Sequence, residues 1–271
     1  MTSPGDSEGL RGWLAQLASE FAEGLDAQAP WLFVVAHPDD ETIGASWLLR
    51  RAHNLHVVHV TDGAPHDVAL WSTAQPNTRR GYAALRAQEA VAAMSLVGVD
   101  ASRVQCLGFV DQEASAQLAQ VTRALRGLVA KLGPAVVVTQ PYEGGHPDHD
   151  ACAFAVQLAV PADVRRIEMT SYHAWRGEVR RGSFLGVEQE AVTCTLDEAE
   201  QALKRRMFAC FASQREVLSQ FPLDAERFRR APRYDFTVAP HTGRLHYETF
   251  EGAMSGNAWR ALAVTALAQL G

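Results

Sequence analysis

Short apolar runs alternate with helical patterns through the first two thirds of the chain. Residues 31–36 and 135–139 are almost continuously apolar, which is typical of strands that are covered on both faces of a parallel sheet. Further strands are predicted at 55–60 and 104–109, and helices at 41–51, 80–97, 116–132 and 149–160. This alternation predicts an α/β fold with a Rossmann-like, doubly wound and mostly parallel sheet.

The two ends of the chain predict additions to that sheet. The first 29 residues contain an amphipathic helical pattern, and the last part contains a long helix at 196–221, an irregular stretch and a final helix. We therefore predict one α/β domain over residues 1–271. It would consist of an N-terminal helical extension (1–29), a sheet core (30–195) and a C-terminal elaboration of helices and loops (196–271).

Composition narrows the class of protein. The chain has 47% hydrophobic and 21% charged residues and a net charge of -6, so no basic surface for nucleic acid or anionic membranes is expected. Its four cysteines are widely spaced and contain no CxxC pair, which favours reduced thiols. The sequence shows no signal-peptide pattern and no apolar run near the ~20 residues of a membrane span. A cytoplasmic protein without a membrane span is predicted.

A cluster of polar side chains follows directly on the first predicted strand. The sequence AHPDDE at 36–41 places His37 and Asp40 three residues apart, with Asp39 between them. Hydrolytic zinc sites use histidine and carboxylate ligands, commonly three, and keep one position open for water. His37 and Asp40 are therefore candidate ligands for Zn²⁺ or another divalent metal. Asp39 is the nearest carboxylate that could accept a proton from that water.

A second polar cluster follows the strand at 135–139. The sequence GHPDH at 145–149 supplies two histidines three residues apart. Because open α/β sheets bind ligands at the carboxyl ends of their strands, this cluster is expected to meet the first. One of His146 and His149 would complete the metal site while the other faces the substrate. Asp148 would fix the tautomer of the free histidine or raise its pKa.

Together the two clusters resemble the motifs of the PIG-L/LmbE-like deacetylases. These are zinc hydrolases that remove N-acetyl groups from glucosamine-containing substrates. The resemblance extends over roughly residues 30–265. It includes four weaker segments, which are TDG at 61–63, RAQEA at 86–90, GFVD at 108–111 and SQ at 213–214.

The resemblance implies a role for each matching residue. Three residues correspond to the family's metal ligands: His37, Asp40 and His149. Asp39 corresponds to the general base. His146 corresponds to the histidine that stabilises the oxyanion or protonates the leaving amine, with Asp148 as its partner. Arg86 and Asp111 fall where the family has sugar-contacting side chains.

One expected tyrosine is missing from the second motif. Family members that carry a tyrosine two residues before the first histidine of HPDH use it near the oxyanion. This chain has Gly144 at that position, and Tyr142 lies two residues further back. The Gly144-Gly145 pair predicts either a plain turn or a loop that faces the substrate.

The predicted function is a zinc-dependent hydrolase, specifically a metal-dependent N-deacetylase. It would remove an N-acyl group, in the first place N-acetyl, from a small amino sugar or glycoconjugate, as a monomer or a homo-oligomer. One alternative is an amidase that cleaves a larger sugar or thiol conjugate. Another is a non-catalytic metal- or nucleotide-binding module, but a nucleotide site would require a glycine-rich turn where this chain has His37 to Asp40.

Overall fold

A mixed sheet forms the centre of the molecule. The computed structural model describes residues 30–52, 54–72, 76–186 and 191–271, so the predicted N-terminal helical extension (1–29) lies outside the described residues. In chain order the strands are β1 (Pro30–Val35), β2 (Asn54–Thr61), β3 (Val104–Phe109), β4 (Val136–Thr139), β5 (Arg165–Met169), β6 (Tyr172–Trp175), β7 (Glu178–Arg181), β8 (Val192–Thr195) and β9 (Ala225–Arg230).

Seven of these strands form the central sheet, in the order β3-β2-β1-β4-β5-β9-β8. The first five in this order are parallel, β9 is antiparallel to both β5 and β8, and β6 and β7 form a separate antiparallel hairpin. The prediction of a mostly parallel, doubly wound α/β sheet is thus confirmed.

Helices flank the sheet. Within the described residues these are α1 (Asp40–Arg51), α2 (Arg79–Ser95), α3 (Leu118–Leu132), α4 (Pro147–Ala159), α5 (Glu198–Cys210), α6 (Arg215–Leu218) and α7 (Gly256–Leu270). None of the helices described is both long enough and apolar enough to cross a membrane.

The buried strands explain why their sequences are continuously apolar. In β1, Trp31 and Phe33 belong to the hydrophobic cluster on one face of the sheet, whereas Leu32 and Val34 belong to the cluster on the other. Because helices cover both faces, neither set of alternating side chains reaches water. The strand therefore has no polar positions until it ends.

The C-terminal part differs from the prediction in two elements. The single long helix predicted at 196–221 is interrupted after Cys210, where the backbone and hydroxyl of Ser213 donate to the buried carboxylate of Glu89 at 2.8 and 2.5 Å. The stretch predicted to be irregular contains β9. Because β9 is rich in charged residues, its sequence has no apolar strand pattern. One of them, Glu226, is buried and paired with Lys204.

The order of strands determines where a site can form. β1 lies between β2 and β4, so the chain builds the sheet outward in one direction from β1 and then returns to β4 on its other side. At such a reversal the loops after the two adjacent strands diverge to opposite faces and leave a crevice. The two polar motifs are the loops that follow β1 and β4.

Candidate active site

The turn after β1 holds Asp39 in an uncommon backbone conformation. Its φ of 146° is positive, which costs a non-glycine residue about 1–3 kcal/mol and persists only when the surroundings support it. The support here is Glu41, whose fully buried carboxylate accepts the backbone N–H of Asp39 at 3.2 Å. The same carboxylate oxygen lies 3.1 Å from Nε2 of the buried His59.

The helix that begins in this turn is fixed by the C-terminal part of the chain. α1 is kinked at Ala45, and the backbone N–H of Ser46 donates to Glu226 at 3.0 Å. Lys204 donates to the carbonyl oxygen of Ile43 and to Glu226, both at 2.8 Å. The first turn of α1, which carries the acidic residues of the motif, is thereby held against β9 and α5.

The loop after β4 depends on its two glycines. Gly144 has a positive φ of 70°. At Gly145 a Cβ atom would lie 1.9 Å from the carbonyl oxygen of Tyr172, so no other residue fits without moving β6. The ring of His146 then caps α4, since its Nδ1 accepts the backbone N–H of Asp148 at 3.1 Å.

The two motifs meet at the crevice. Nδ1 of His37 lies 3.2 Å from one oxygen of Asp40, and Nε2 of His149 lies 3.3 Å from the other. The rings of His37 and His146 are 4.6 Å apart between centroids. Donor atoms of His37, His146 and His149 lie within 4.8 Å of one another. The structure therefore brings together the three predicted ligands and adds His146 as a close neighbour.

The charges of this cluster fit a cation. Nε2 of His37 also lies 3.0 Å from Asp111 and 3.4 Å from Asp148. Although burial opposes a charged ring, Asp111, Asp148 and Asp40 raise the pKa of His37 well above its usual value. For Asp111, burial raises the pKa, but His37 outweighs it and brings the value to about 2. A buried group of carboxylates that stabilises a positive charge among histidine nitrogens suits a divalent metal.

Asp39 lies beside this cluster and contacts Arg86. Nη2 of the buried Arg86 donates to Asp39 at 3.2 Å. Burial raises the pKa of Asp39 to about 7, with Arg86 acting against it and Asp40 adding to it. Nε and Nη1 of Arg86 have no hydrogen-bond partner among the described residues. Arg86, predicted to contact substrate, thus holds the predicted base and also lines the cavity.

The expected pairing of Asp148 with His146 is not what the structure shows. The Asp148 carboxylate accepts the backbone N–H groups of Gln112 at 2.7 Å and Ala114 at 3.1 Å, and it faces His37. Asp148 reaches His146 through its backbone N–H, because His146 is the N-cap of α4. The ring nitrogen that accepts this bond cannot carry a proton, so His146 is neutral with its proton on Nε2. Burial and the neighbouring histidines likewise hold the pKa of His146 well below its usual value.

Sequence reasoning missed several residues of the site. Gln112 has a positive φ of 73°, and its side-chain nitrogen lies 2.7 Å from Nε2 of His146. The ring of Tyr172 contacts that of His149, with centroids 5.2 Å apart. By contrast, Tyr142 packs in an aromatic cluster and donates to the carbonyl oxygen of Val238 at 2.9 Å. No motif marks Tyr172, which reaches the site only because the β6–β7 hairpin folds against Gly145.

The side chains enclose a cavity of about 210 Å³. Its lining includes the three histidines, Asp39, Asp40, Arg86, Asp111, Gln112 and Tyr172. A cavity of this size admits a small group such as an acetamide rather than a whole drug-sized ligand.

Comparison with known proteins finds a match to one protein family. The PIG-L profile, described as GlcNAc-PI de-N-acetylase, matches residues 32–160, which include both motifs. The family match is confined to these residues, slightly less than half of the chain. The predicted resemblance is confirmed. Among curated proteins, no sequence matches the chain.

Solved structures share the fold at low sequence identity. A deacetylase of teicoplanin biosynthesis is 18% identical with a TM-score of 0.58, covering 76% of this chain and 99% of that chain. The N,N'-diacetylchitobiose deacetylase from Pyrococcus horikoshii is 18% identical with a TM-score of 0.55, and the match covers 89% of this chain and 98% of that chain. The 4-carboxy-2-hydroxymuconate hydratase from Pseudomonas putida is 14% identical with a TM-score of 0.51, and the match covers 76% of this chain and 98% of that chain. These likenesses establish the fold alone.

Proposed function

We propose that this PIG-L protein is a metal-dependent N-deacetylase that acts on an N-acetylated amino sugar or glycoconjugate. The single observation that carries the proposal is the cluster at the carboxyl ends of β1 and β4. There a group of histidines and carboxylates suited to a cation lies beside a buried carboxylate, Asp39, that takes no part in that group. The family profile, described by de-N-acetylation, supports the same chemistry.

The proposed ligands are His37, Asp40 and His149. Asp40 joins the two rings through its separate oxygens, and His146 already uses Nδ1 for the helix cap, which favours His149 over His146 as the third ligand. Zn²⁺ or another divalent ion held there would supply a Lewis acid that polarises an amide carbonyl and lowers the pKa of water.

Asp39 is the proposed general base. Its carboxylate faces the cavity and is oriented by Arg86, while Glu41 fixes its backbone. A base with a pKa near neutrality can both take a proton from the attacking water and release it to the departing amine.

His146 is the proposed hydrogen-bond donor to the oxyanion that develops on the amide. In the neutral tautomer its Nε2 carries the proton, and Nε2 faces the side-chain nitrogen of Gln112, which cannot accept that proton. A substrate oxygen that displaces the Gln112 side chain would supply the acceptor. A preorganised neutral donor stabilises negative charge without itself having to be ionised.

Amine release tests the proposal. The purified protein, loaded with Zn²⁺ or Co²⁺, is incubated with N-acetylglucosamine, its methyl glycoside and a panel of its conjugates, and free amine and acetate are measured. Release that depends on the metal is expected, and Asp39→Asn serves as the inactive control with an intact fold. Absence of release from every amino-sugar amide by the metal-loaded protein would refute the deacetylase proposal. Hydratase activity, the activity in the name of the 4-carboxy-2-hydroxymuconate hydratase neighbour, is then assayed.

A further inference from the structure

A second cavity lies next to the catalytic one. It has a volume of about 490 Å³ and lies between the β6–β7 hairpin and residues 241–249, which we name the C-terminal loop. The two cavities are adjacent because Tyr172 lines the first and His246 lines the second, with their ring centroids 5.3 Å apart. The loop is anchored at the catalytic motif, since the backbone N–H of His246 donates to the carbonyl oxygen of Gly144 at 2.8 Å.

One wall of the second cavity is aromatic and carries an unused acceptor. The ring of His241 meets that of Trp175 edge to face, with centroids 6.0 Å apart. Nδ1 of His241 donates to the carbonyl oxygen of Thr242 at 2.9 Å, so its Nε2 is left as an acceptor. Nε2 is buried and has no hydrogen-bond partner among the described residues. If the ring of His241 turns this nitrogen toward the cavity, a ligand hydroxyl would supply the donor that is missing.

The remaining polar groups of the cavity include both signs of charge. Arg176 lies over the ring of Trp175, with its guanidinium carbon 5.6 Å from the ring centroid. Arg244 also lines the cavity, but it already donates to the carbonyl oxygen of Glu248. The carboxylate of Glu178, another lining residue, would repel an anion. Mixed donors and acceptors around an aromatic face match an uncharged, hydroxyl-rich ring, because each hydroxyl both donates and accepts.

The spacing allows one ligand to reach both cavities. Tyr172 and Trp175 are the first and last residues of β6, and three residues of strand extend about 10 Å. A substrate whose acetamide reaches past Tyr172 to the cluster of histidines and carboxylates would therefore place its next unit near Trp175.

We propose that the second cavity is a subsite for an uncharged, hydroxyl-rich ring, such as a hexose, that is attached to the N-acetylated sugar. The preferred substrate is then a glycoconjugate of at least two units, and Trp175 and Arg176 are specificity-determining residues. This inference rests on the proposed deacetylase function.

Kinetics on a matched pair of substrates test the subsite. Methyl N-acetylglucosaminide occupies the catalytic cavity alone, whereas N,N'-diacetylchitobiose carries a second ring. For the two-ring substrate we expect Trp175→Ala to raise KM about threefold to tenfold, with kcat nearly unchanged. KM for the one-ring substrate should not move, and Trp175→Phe should restore most of the loss. Arg176→Ala should act in the same direction.

Arg180→Ala is the matched control. Arg180 lies on the same hairpin, is exposed and pairs with Glu178 at 2.7 Å, but it does not line the cavity. Its replacement should leave both KM values unchanged. Equal effects of Trp175→Ala on the two substrates, or none on either, would overturn the subsite.

Direct binding separates this inference from the proposed function. Calorimetry with the deacetylated two-ring amine measures the subsite without turnover, and Trp175→Ala should weaken that binding while the one-ring amine is unaffected. If the wild type hydrolyses no amide but this difference is present, the subsite stands and the deacetylase proposal fails. Equal binding of the two-ring amine by wild type and Trp175→Ala overturns the subsite. Tighter binding of a hyaluronan disaccharide, which carries a carboxylate on its second ring, would overturn the assignment to an uncharged ring.

Discussion

Asp39 combines a positive φ with a buried carboxylate, two features that destabilise a folded protein unless neighbours compensate for them. Here Glu41 accepts the backbone N–H and Arg86 contacts the carboxylate. The compensation is local and specific, which indicates that the position of this one side chain matters to the site.

Asp39→Asn should separate catalysis from metal binding. Asparagine keeps the size of the side chain and tolerates positive φ, but it cannot accept the proton of the attacking water. We expect kcat to fall by about 10²- to 10⁴-fold with an unchanged metal content. Elemental analysis and amine release measure the two quantities. A metal-free variant would make Asp39 a ligand, and a fully active one would move the base elsewhere.

His149→Ala and His146→Ala should differ in metal content. His149 contacts Asp40, whereas Nδ1 of His146 already accepts the backbone N–H of Asp148 and its Nε2 faces Gln112. We therefore expect about one divalent ion per chain in the wild type, most of it lost in His149→Ala and retained in His146→Ala with reduced kcat. Metal titration of the two variants gives the answer. The reverse pattern would exchange the roles of the two histidines.

At the scale of elements, the kink in α1 connects the first motif to the C-terminal part of the chain. Lys204 and Glu226 are both buried, and together they bind backbone groups on either side of the kink, the carbonyl oxygen of Ile43 and the N–H of Ser46. The turn that carries His37 and Asp40 therefore depends on two elements, α5 and β9, that lie outside the region covered by the family profile.

Lys204→Met should show this dependence. Removing the ammonium leaves Glu226 buried without its partner, so we expect the free energy of unfolding to decrease by about 3–5 kcal/mol. Lys131→Met is the matched control, because Lys131 is exposed at the end of α3 and its loss should change stability by less than about 0.5 kcal/mol. Urea denaturation of both variants measures the difference. Equal stability of the two would mean that the buried pair contributes nothing to the kink.

The success of the sequence prediction differed from element to element for a physical reason. β1 and β4 were predictable because both faces are covered by helices, so their sequences are almost entirely apolar until the site begins. β9 was not predictable from the sequence. An apolar pattern cannot reveal a buried charged residue such as Glu226, whose partner lies elsewhere in the chain. The break after α5 depends on Glu89, more than a hundred residues away.

The same distinction applies to the site. The sequence predicted that the two motifs would meet, since each follows a strand of one parallel sheet. It could not predict the contacts that need exact packing. Three such contacts depend on how the loops lie across the crevice. Arg86 pairs with Asp39, the ring of Tyr172 contacts His149, and the Asp148 carboxylate faces His37.

At the scale of the whole molecule, Glu168 should make stability depend on pH. Burial raises the pKa of Glu168 to about 7, with Arg229 acting against it. The folded protein then holds this proton more tightly than the unfolded chain, whose value is near 4.5. The contribution of Glu168 to stability is therefore greatest below about pH 4.5 and is lost as the pH rises through about 7.

Glu168→Gln should remove that part of the pH dependence. The free energy of unfolding of the wild type, relative to the variant, is expected to decrease between about pH 4.5 and 7. Glu216→Gln, at an exposed position of α6, should parallel the wild type. Denaturation curves across this range provide the measurement, and parallel pH profiles for wild type and Glu168→Gln would contradict the assignment.

The separation of the two motifs along the chain has a thermodynamic consequence. His37 and His149 are more than a hundred residues apart, and they approach each other only when β1 and β4 are paired. An unfolded chain offers no comparable chelate, so the ion would bind the native state almost exclusively and shift the folding equilibrium by mass action. At a free ion concentration one hundred times Kd, this linkage amounts to about 2.7 kcal/mol. The melting temperature would then rise with each increment of added metal, and the titration would report occupancy of the site without any substrate.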